Sequence, residues 1–191
     1  MKVRRDVFRP SYPTPAAMIT CATPDGRPNI ITLGEVYMLS LEPLVMGISI
    51  RPQRYSYGVI AETREFVVNY VTEELAAQTD YCGMVSGRDV DKFAATGLTP
   101  EPAAEVQAPL IAECPLNIEC RVRDILPLGS HHVFVADAVA THVEEAILDA
   151  NGQVDPERAR AIAFIGRAYW KVEGLVDRAF VPGRRFRPAG R

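Results

Sequence analysis

Apolar and polar positions alternate in short blocks along this chain, separated by turn residues. "PAAMITCAT" and "NIITLGEV" are apolar runs flanking "PDGRP", where Asp25 and Gly26 supply the backbone freedom of a tight hairpin. "LEPLVMGISI" is a continuous apolar run led by Pro43, the pattern of a strand buried on both faces. "RYSYGVIAETRE" offers Ser56 as a helix N-cap before a short amphipathic stretch, and "EFVVNYV" returns to β-branched strand character. From Glu73, "EELAAQTDYCG" is rich in helix formers, with Gly83 as its predicted stop. "MVSGRDVDKFAATGLTPEPAAEVQAP" is polar and rich in Pro and Gly, and reads as a functional loop. "LNIECRVRDILPL" and "HVFVADAVATHVEE" are longer strands turning at "PLGSHH", and the alternation in "CRVRDIL" predicts one wet face. After the turn-like "DANGQVDPE" come "RARAIAFIGRAYWKVEG" and a basic, Pro/Gly-rich tail from about residue 180. Hairpin-joined strands with only short helices predict a mainly β fold, a small antiparallel barrel of Greek-key type.

The length of 191 residues predicts a single domain spanning 1–191, and 48% apolar residues suffice for a core. A net charge of −3 creates no cationic field for nucleic acid or an anionic membrane. Arg184, Arg185, Arg187 and Arg191 cluster in the tail without an aromatic stacking motif, so they read as solvated or partner-contacting. No apolar run approaches the ~18–20 residues that would cross a bilayer. "MKVRRDVFRPSYPTP" is charged with no following apolar stretch, and Cys21, Cys82, Cys114 and Cys120 lack C-x-x-C spacing. The expectation is a cytoplasmic protein with reduced thiols.

Several chemistries fail on spacing. There is no G-x-G-x-x-G and no G-x-x-x-x-G-K-[ST]. In "GMVSG", Ser86 falls one position too late for a nucleophile elbow. His131 and His132 are strand neighbours that point to opposite faces, and no second cluster supplies further ligands, so no metal site is predicted. What remains is "SIRPQRYSYGVIAE". Arg51 and Arg54 precede a helix start whose first N–H groups have no internal partner, and Ser56 adds a hydroxyl. These groups can form an anion site; a capped helix beside two solvated arginines fits the same spacing.

A resemblance adds to this reading. "DGRPNIITLGEVYMLSLEPLVMGISIRPQRYSYGVIAETREFVVNYV", "DYCGMVSGRDVDKFAATGLTPEPAAEVQAPLIAECPLNIECRV" and "LGSHHVFVADAV" resemble the flavin reductase-like, flavoredoxin-type family over about Pro13 to Val143. The resemblance implies an FMN-binding split β-barrel, usually a homodimer, with flavin near the subunit interface. It places Asn29, Thr32, Gly34 and Glu35 along the flavin ring, and Arg51, Arg54 and Ser56 on the FMN phosphate. Ser86, Gly87 and Lys92 would close over the site. His131 matches the family histidine, the catalytic candidate; Ser130 stands where the family often carries an acid. Two positions keep a second reading: Gly34 as a bend in the barrel, and Lys92 as a surface pair with Asp89 or Asp91. The implied function is an NAD(P)H-dependent flavin reductase, passing hydride to flavin for a monooxygenase or other electron acceptor. The alternatives are a flavoredoxin-type FMN electron carrier and a non-redox or haem-binding split-barrel protein.

Overall fold

Turn chemistry and burial together set the element order. A computed structural model of the chain describes residues 1–8 and 11–186. The first half contains β1 (Thr14–Pro15), β2 (Ala17–Ala22), β3 (Pro28–Leu33), β4 (Val36–Leu41), β5 (Leu44–Ile50), α1 (Tyr55–Thr63) and β6 (Glu65–Tyr70). A 3-10 turn, Glu73–Leu75, leads into α2 (Ala76–Met84), α3 (Lys92–Thr96), β7 (Pro100–Glu101) and β8 (Leu110–Ile111). The long hairpin β9 (Leu116–Leu128) and β10 (His131–Val143) precedes α4 (Pro156–Ala159), β11 (Ile162–Ile165), β12 (Ala168–Lys171) and α5 (Val181–Arg185).

Seven strands form one antiparallel sheet in the order β3-β2-β6-β9-β10-β5-β4. The sheet curls until its ends meet: β3 and β4, at opposite edges, are joined by the short bend at Gly34 and Glu35, and Ile31, Leu33 and Val36 from the two edges share one core. The expected mainly β barrel with short helices is therefore observed. Its interior is filled by Ile19, Met46, Ile48, Phe66 and Phe134, with Val59 and Ile60 of α1 packed among them. A second cluster lies on the outer face, where Met18 and Ile30 meet Cys82, Phe93 and Ile111. Strand β2 serves both clusters with alternate residues, which is why "AMITCA" reads as one unbroken apolar run.

The hairpins at Gly26 and Gly129 fall where the turn residues predict, both with positive φ. Other expectations need correction. Ser56 is not the N-cap of α1; Arg54 is, without a side-chain cap bond. The helix is held by burial of Val59 and Ile60, worth about 1.5–3 kcal/mol each, more than the ~1 kcal/mol of a cap. Gly83 does not stop α2, which runs to Met84; a Cβ at Gly83 would meet Thr32 at 3.3 Å, so it permits close packing on β3. The apolar run "NIITLGEV" is divided by a bend at Gly34, and the expected loop after Met84 contains α3.

The loop before β8 is fastened by one buried carboxylate. Glu119 on β9 accepts from the amides of Ala104, Glu105 and Val106 at 2.7–3.0 Å, and its Oε1 lies 2.6 Å from His142 Nε2. At the C-terminal end, Glu73 is paired with Arg160 and Lys171, tying the β11–β12 region to the 3-10 turn. Arg184 and Arg185 lie on α5, whereas Arg187 and Arg191 fall outside the described residues. Among the described residues, no helix is long and apolar enough to cross a membrane.

Candidate functional site

The end of β5 delivers the chain to a cleft of about 280 Å³. Pro52 follows Arg51, and the Arg54 amide donates back to the Arg51 carbonyl at 3.0 Å, so both guanidinium groups leave one tight turn. Helix α1 starts immediately, with no acidic residue in its first turn to neutralise the positive end of its dipole. Ser56, only 2% exposed, accepts from Asn29 Nδ2 at 2.8 Å, which fixes its hydroxyl in the wall of the cleft.

The segment after α2 closes the other side. Gly87 packs on Asn29 so closely that a Cβ there would fall 1.9 Å from Asn29 Oδ1, and Arg27 donates to the Gly87 carbonyl at 3.1 Å. Arg88 donates to the Gln53 carbonyl at 3.4 Å and lies over the Tyr55 ring at 5.6 Å, linking this segment to the arginine turn. Lys92 is only 4% exposed and donates to the carbonyls of Ile30 at 2.7 Å and Cys82 at 2.6 Å. Asp91 caps α3 through the Ala94 amide instead of pairing with Lys92 on the surface, which corrects that alternative. Burial holds the Lys92 ammonium below its ordinary pKa. Burial also raises the Cys21 thiol to about 12 and the Cys82 thiol to about 11, so neither supplies a thiolate at neutral pH.

At the mouth, His131 Nε2 accepts from Arg51 Nε at 3.4 Å, and its Nδ1 lies 2.9 Å from Ser130 Oγ. Since arginine can only donate, this network assigns the ring proton of neutral His131 to Nδ1, with Ser130 as its acceptor. A hydroxyl thus stands where an acid was missed. His132 turns the opposite way and meets the Tyr57 hydroxyl at 2.8 Å, as strand alternation requires.

Nine of the sequence-derived residues line this cleft: Thr32, Glu35, Arg51, Arg54, Ser56, Ser86, Gly87, Lys92 and His131. Asn29 stands behind it and acts through Ser56 and Gly87. Gly34 lies outside this cleft at an adjoining cavity, and a Cβ there would approach Thr14 Oγ1 to 2.9 Å, so its absent side chain serves packing against β1. Tyr55, Gln53 and Arg88 also line the cleft without a telling spacing of their own; only the position of Arg88 inside "SGRDVDKF" flags it. Arg51, Arg54, Arg88 and Lys92 give the lining a cationic excess over the one carboxylate, Glu35. The arrangement suits a ligand with an anionic end.

Comparison with known proteins places the chain in a family. The family model described as the flavin reductase like domain matches residues 9–163, and the chain belongs to that family. Among solved structures, flavoredoxin of Desulfovibrio vulgaris (Miyazaki F) superposes with a TM-score of 0.89 at 29% identity, covering 96% of this chain and 100% of that one. Flavoredoxin from Methanosarcina acetivorans gives a TM-score of 0.85 at 30% identity, with 97% of each chain covered. An NADPH-flavin oxidoreductase of Streptomyces viridifaciens is 26% identical over 81% of this chain and 80% of its own. A protein with a split barrel domain from Shewanella frigidimarina superposes with a TM-score of 0.81 at 23% identity, covering 88% of this chain and 86% of that one, so the split-barrel fold expected from the sequence is observed.

Proposed function

We propose that this chain is an FMN-binding oxidoreductase reduced by NAD(P)H. The observation that carries the reading is the convergence of Arg51, Arg54 and the first turn of α1 on one cleft, backed by the buried Lys92 ammonium. An ammonium held there by neutral carbonyls is stabilised when an anion enters, and the orphan amides of α1 add donors aimed at phosphate oxygens. The residues present therefore fit FMN. Arg51 and Arg54 would hold the phosphate, with the Ser56 hydroxyl fixed beside them by Asn29, and Thr32 and Glu35 line the side nearest β3. Ser86, Gly87 and Arg88 close the cleft against water. His131 stands at the mouth of the cleft, its Nε2 accepting from Arg51 Nε. When bound, FMN would supply the two-electron redox chemistry, and the residues above would hold and orient it.

The two flavoredoxin structures favour a second reading, an FMN electron carrier that exchanges electrons with a protein partner. An absorbance spectrum before and after added FMN, followed by anaerobic titration with NADH and NADPH, separates these readings. Uptake of FMN and bleaching by either coenzyme supports the reductase. A bound flavin that neither coenzyme bleaches supports the carrier, and no uptake of FMN removes both in favour of a non-redox barrel. The proposal extends to assembly as a homodimer, supported by the exposed Met38 and Leu41 on edge strand β4. A monooxygenase or another acceptor would take the electrons onward.

A further inference from the structure

Two neighbouring histidines on β10 reach opposite sides of the turn that precedes α1. His132 pairs with Ile50, the last residue of β5, so both histidines stand where β5 hands the chain to the arginine turn. His131 meets Arg51 on one face of the strand, and His132 meets the Tyr57 hydroxyl on the other, its Nδ1 at 2.8 Å. The Tyr57 ring is fixed as well. It stands edge to face against His132 and Phe134, with centroids 5.4 and 5.2 Å apart, and those two side chains share one face of β10. Phe134 is fully buried in the barrel core, so this contact ties Tyr57 to the interior of the barrel.

Tyr57 lies in the first turn of α1, directly after Ser56. That turn lacks a side-chain cap bond, and Val59 and Ile60 bury the helix only further along. Its orientation is set from two walls instead. Asn29 of β3 holds the Ser56 hydroxyl, and His132 of β10 holds the Tyr57 hydroxyl. Tyr57 and His132 stand behind the lining of the cleft, not in it. We propose that Tyr57 and His132 form a positioning pair for the phosphate end of the cleft, orienting the first turn of α1 so that Arg54, Ser56 and the first backbone amides face the ligand. The pair acts through the helix and does not touch the anion. Its bond survives either placement of the proton, since the phenol and Nδ1 can each donate or accept. The inference rests on the FMN reading above and extends it to two residues outside the cleft lining.

The test titrates full-length wild type, Tyr57→Phe, His132→Leu and His132→Asn with FMN and with riboflavin, which has the same ring and ribityl chain without the phosphate. Flavin fluorescence quenching gives each dissociation constant, and thermal unfolding follows the fold. Tyr57→Phe keeps the ring against Phe134 and loses only the hydroxyl. Its FMN affinity should fall about three- to tenfold, the scale of one hydrogen bond, with riboflavin affinity within about twofold of wild type. His132→Leu should match it. His132→Asn puts an amide near the Nδ1 position and should keep FMN affinity within about twofold of wild type. A purely structural role would weaken both flavins together, so parallel losses in Tyr57→Phe overturn the inference. FMN affinity within about twofold of wild type in Tyr57→Phe overturns it too and leaves the FMN reading standing. Wild type that binds FMN no more tightly than riboflavin overturns the phosphate assignment and this inference together.

Discussion

At Arg54 the chain changes from strand to helix, and the same residue caps α1 and lines the cleft. Arg54→Ala is expected to raise the FMN dissociation constant about 10- to 100-fold, the range for a lost hydrogen bond to a charged group. Arg64→Ala, at the opposite end of α1, should change it by less than about threefold. Fluorescence quenching titrations compare the two, and equal losses would remove the phosphate assignment. Lys92 adds a pH dependence. Its folded pKa lies below the ordinary 10.5, so the unfolded chain binds that proton more tightly. Stability of the flavin-free protein should therefore rise with pH between the folded pKa and 10.5. An anion beside Lys92 raises its pKa again, so FMN binding should take up a proton, and affinity should fall as pH climbs through that window. Calorimetry in buffers of different ionisation enthalpy measures the uptake; its absence would place the anion elsewhere. The charged residues of the site were legible because arginines at a strand-to-helix junction carry a local signature. The burial of Lys92 was not, since nothing near it in sequence announces that Ile30 and Cys82 will supply its acceptors.

Among the elements, strands reached through a Gly-containing turn were read correctly, because φ above zero at Gly26 and Gly129 is a local demand. Helix boundaries were read less well. Gly83 looks like a stop, yet its role is decided by Thr32 across the packing interface. The stretch before β8 reads as a functional loop in the sequence, and in the structure Glu119 fastens three of its amides. Burial by itself would raise that carboxyl's pKa, but the amides and His142 outweigh it and hold the group below its ordinary 4.5. The stabilisation it brings is thus present above pH 4.5 and lost as pH falls through the lower, folded value. Glu119→Gln should cost about 1–3 kcal/mol through poorly satisfied buried donors. Thermal unfolding measures the loss, and amide exchange at Ala104–Val106 should speed up more than at the barrel strands. Unchanged exchange there would mean that the loop is held by its apolar contacts at Val106 and Leu110 instead.

On the scale of the whole molecule, β4 ends the sheet with Met38 and Leu41, respectively 64% and 73% exposed. If a second copy covers this edge, Met38→Glu with Leu41→Glu should halve the mass seen by light scattering at micromolar concentration. An unchanged mass would move the association to another face. Curling of the sheet also explains where legibility ended. Alternation, turn residues and the arginine pair are properties of neighbours along the chain, and they determined the antiparallel strands, the hairpins and the arginine-lined end of the cleft. The back wall at Asn29 and Gly87, the burial of Lys92 and the adjoining cavity between α2 and the β11–β12 hairpin join residues about 60 to 90 positions apart. Such contacts exist only in the tertiary structure, because the packing of α2, α3 and the β11–β12 hairpin against the outside of the barrel, and no local preference, brings those side chains within hydrogen-bonding reach.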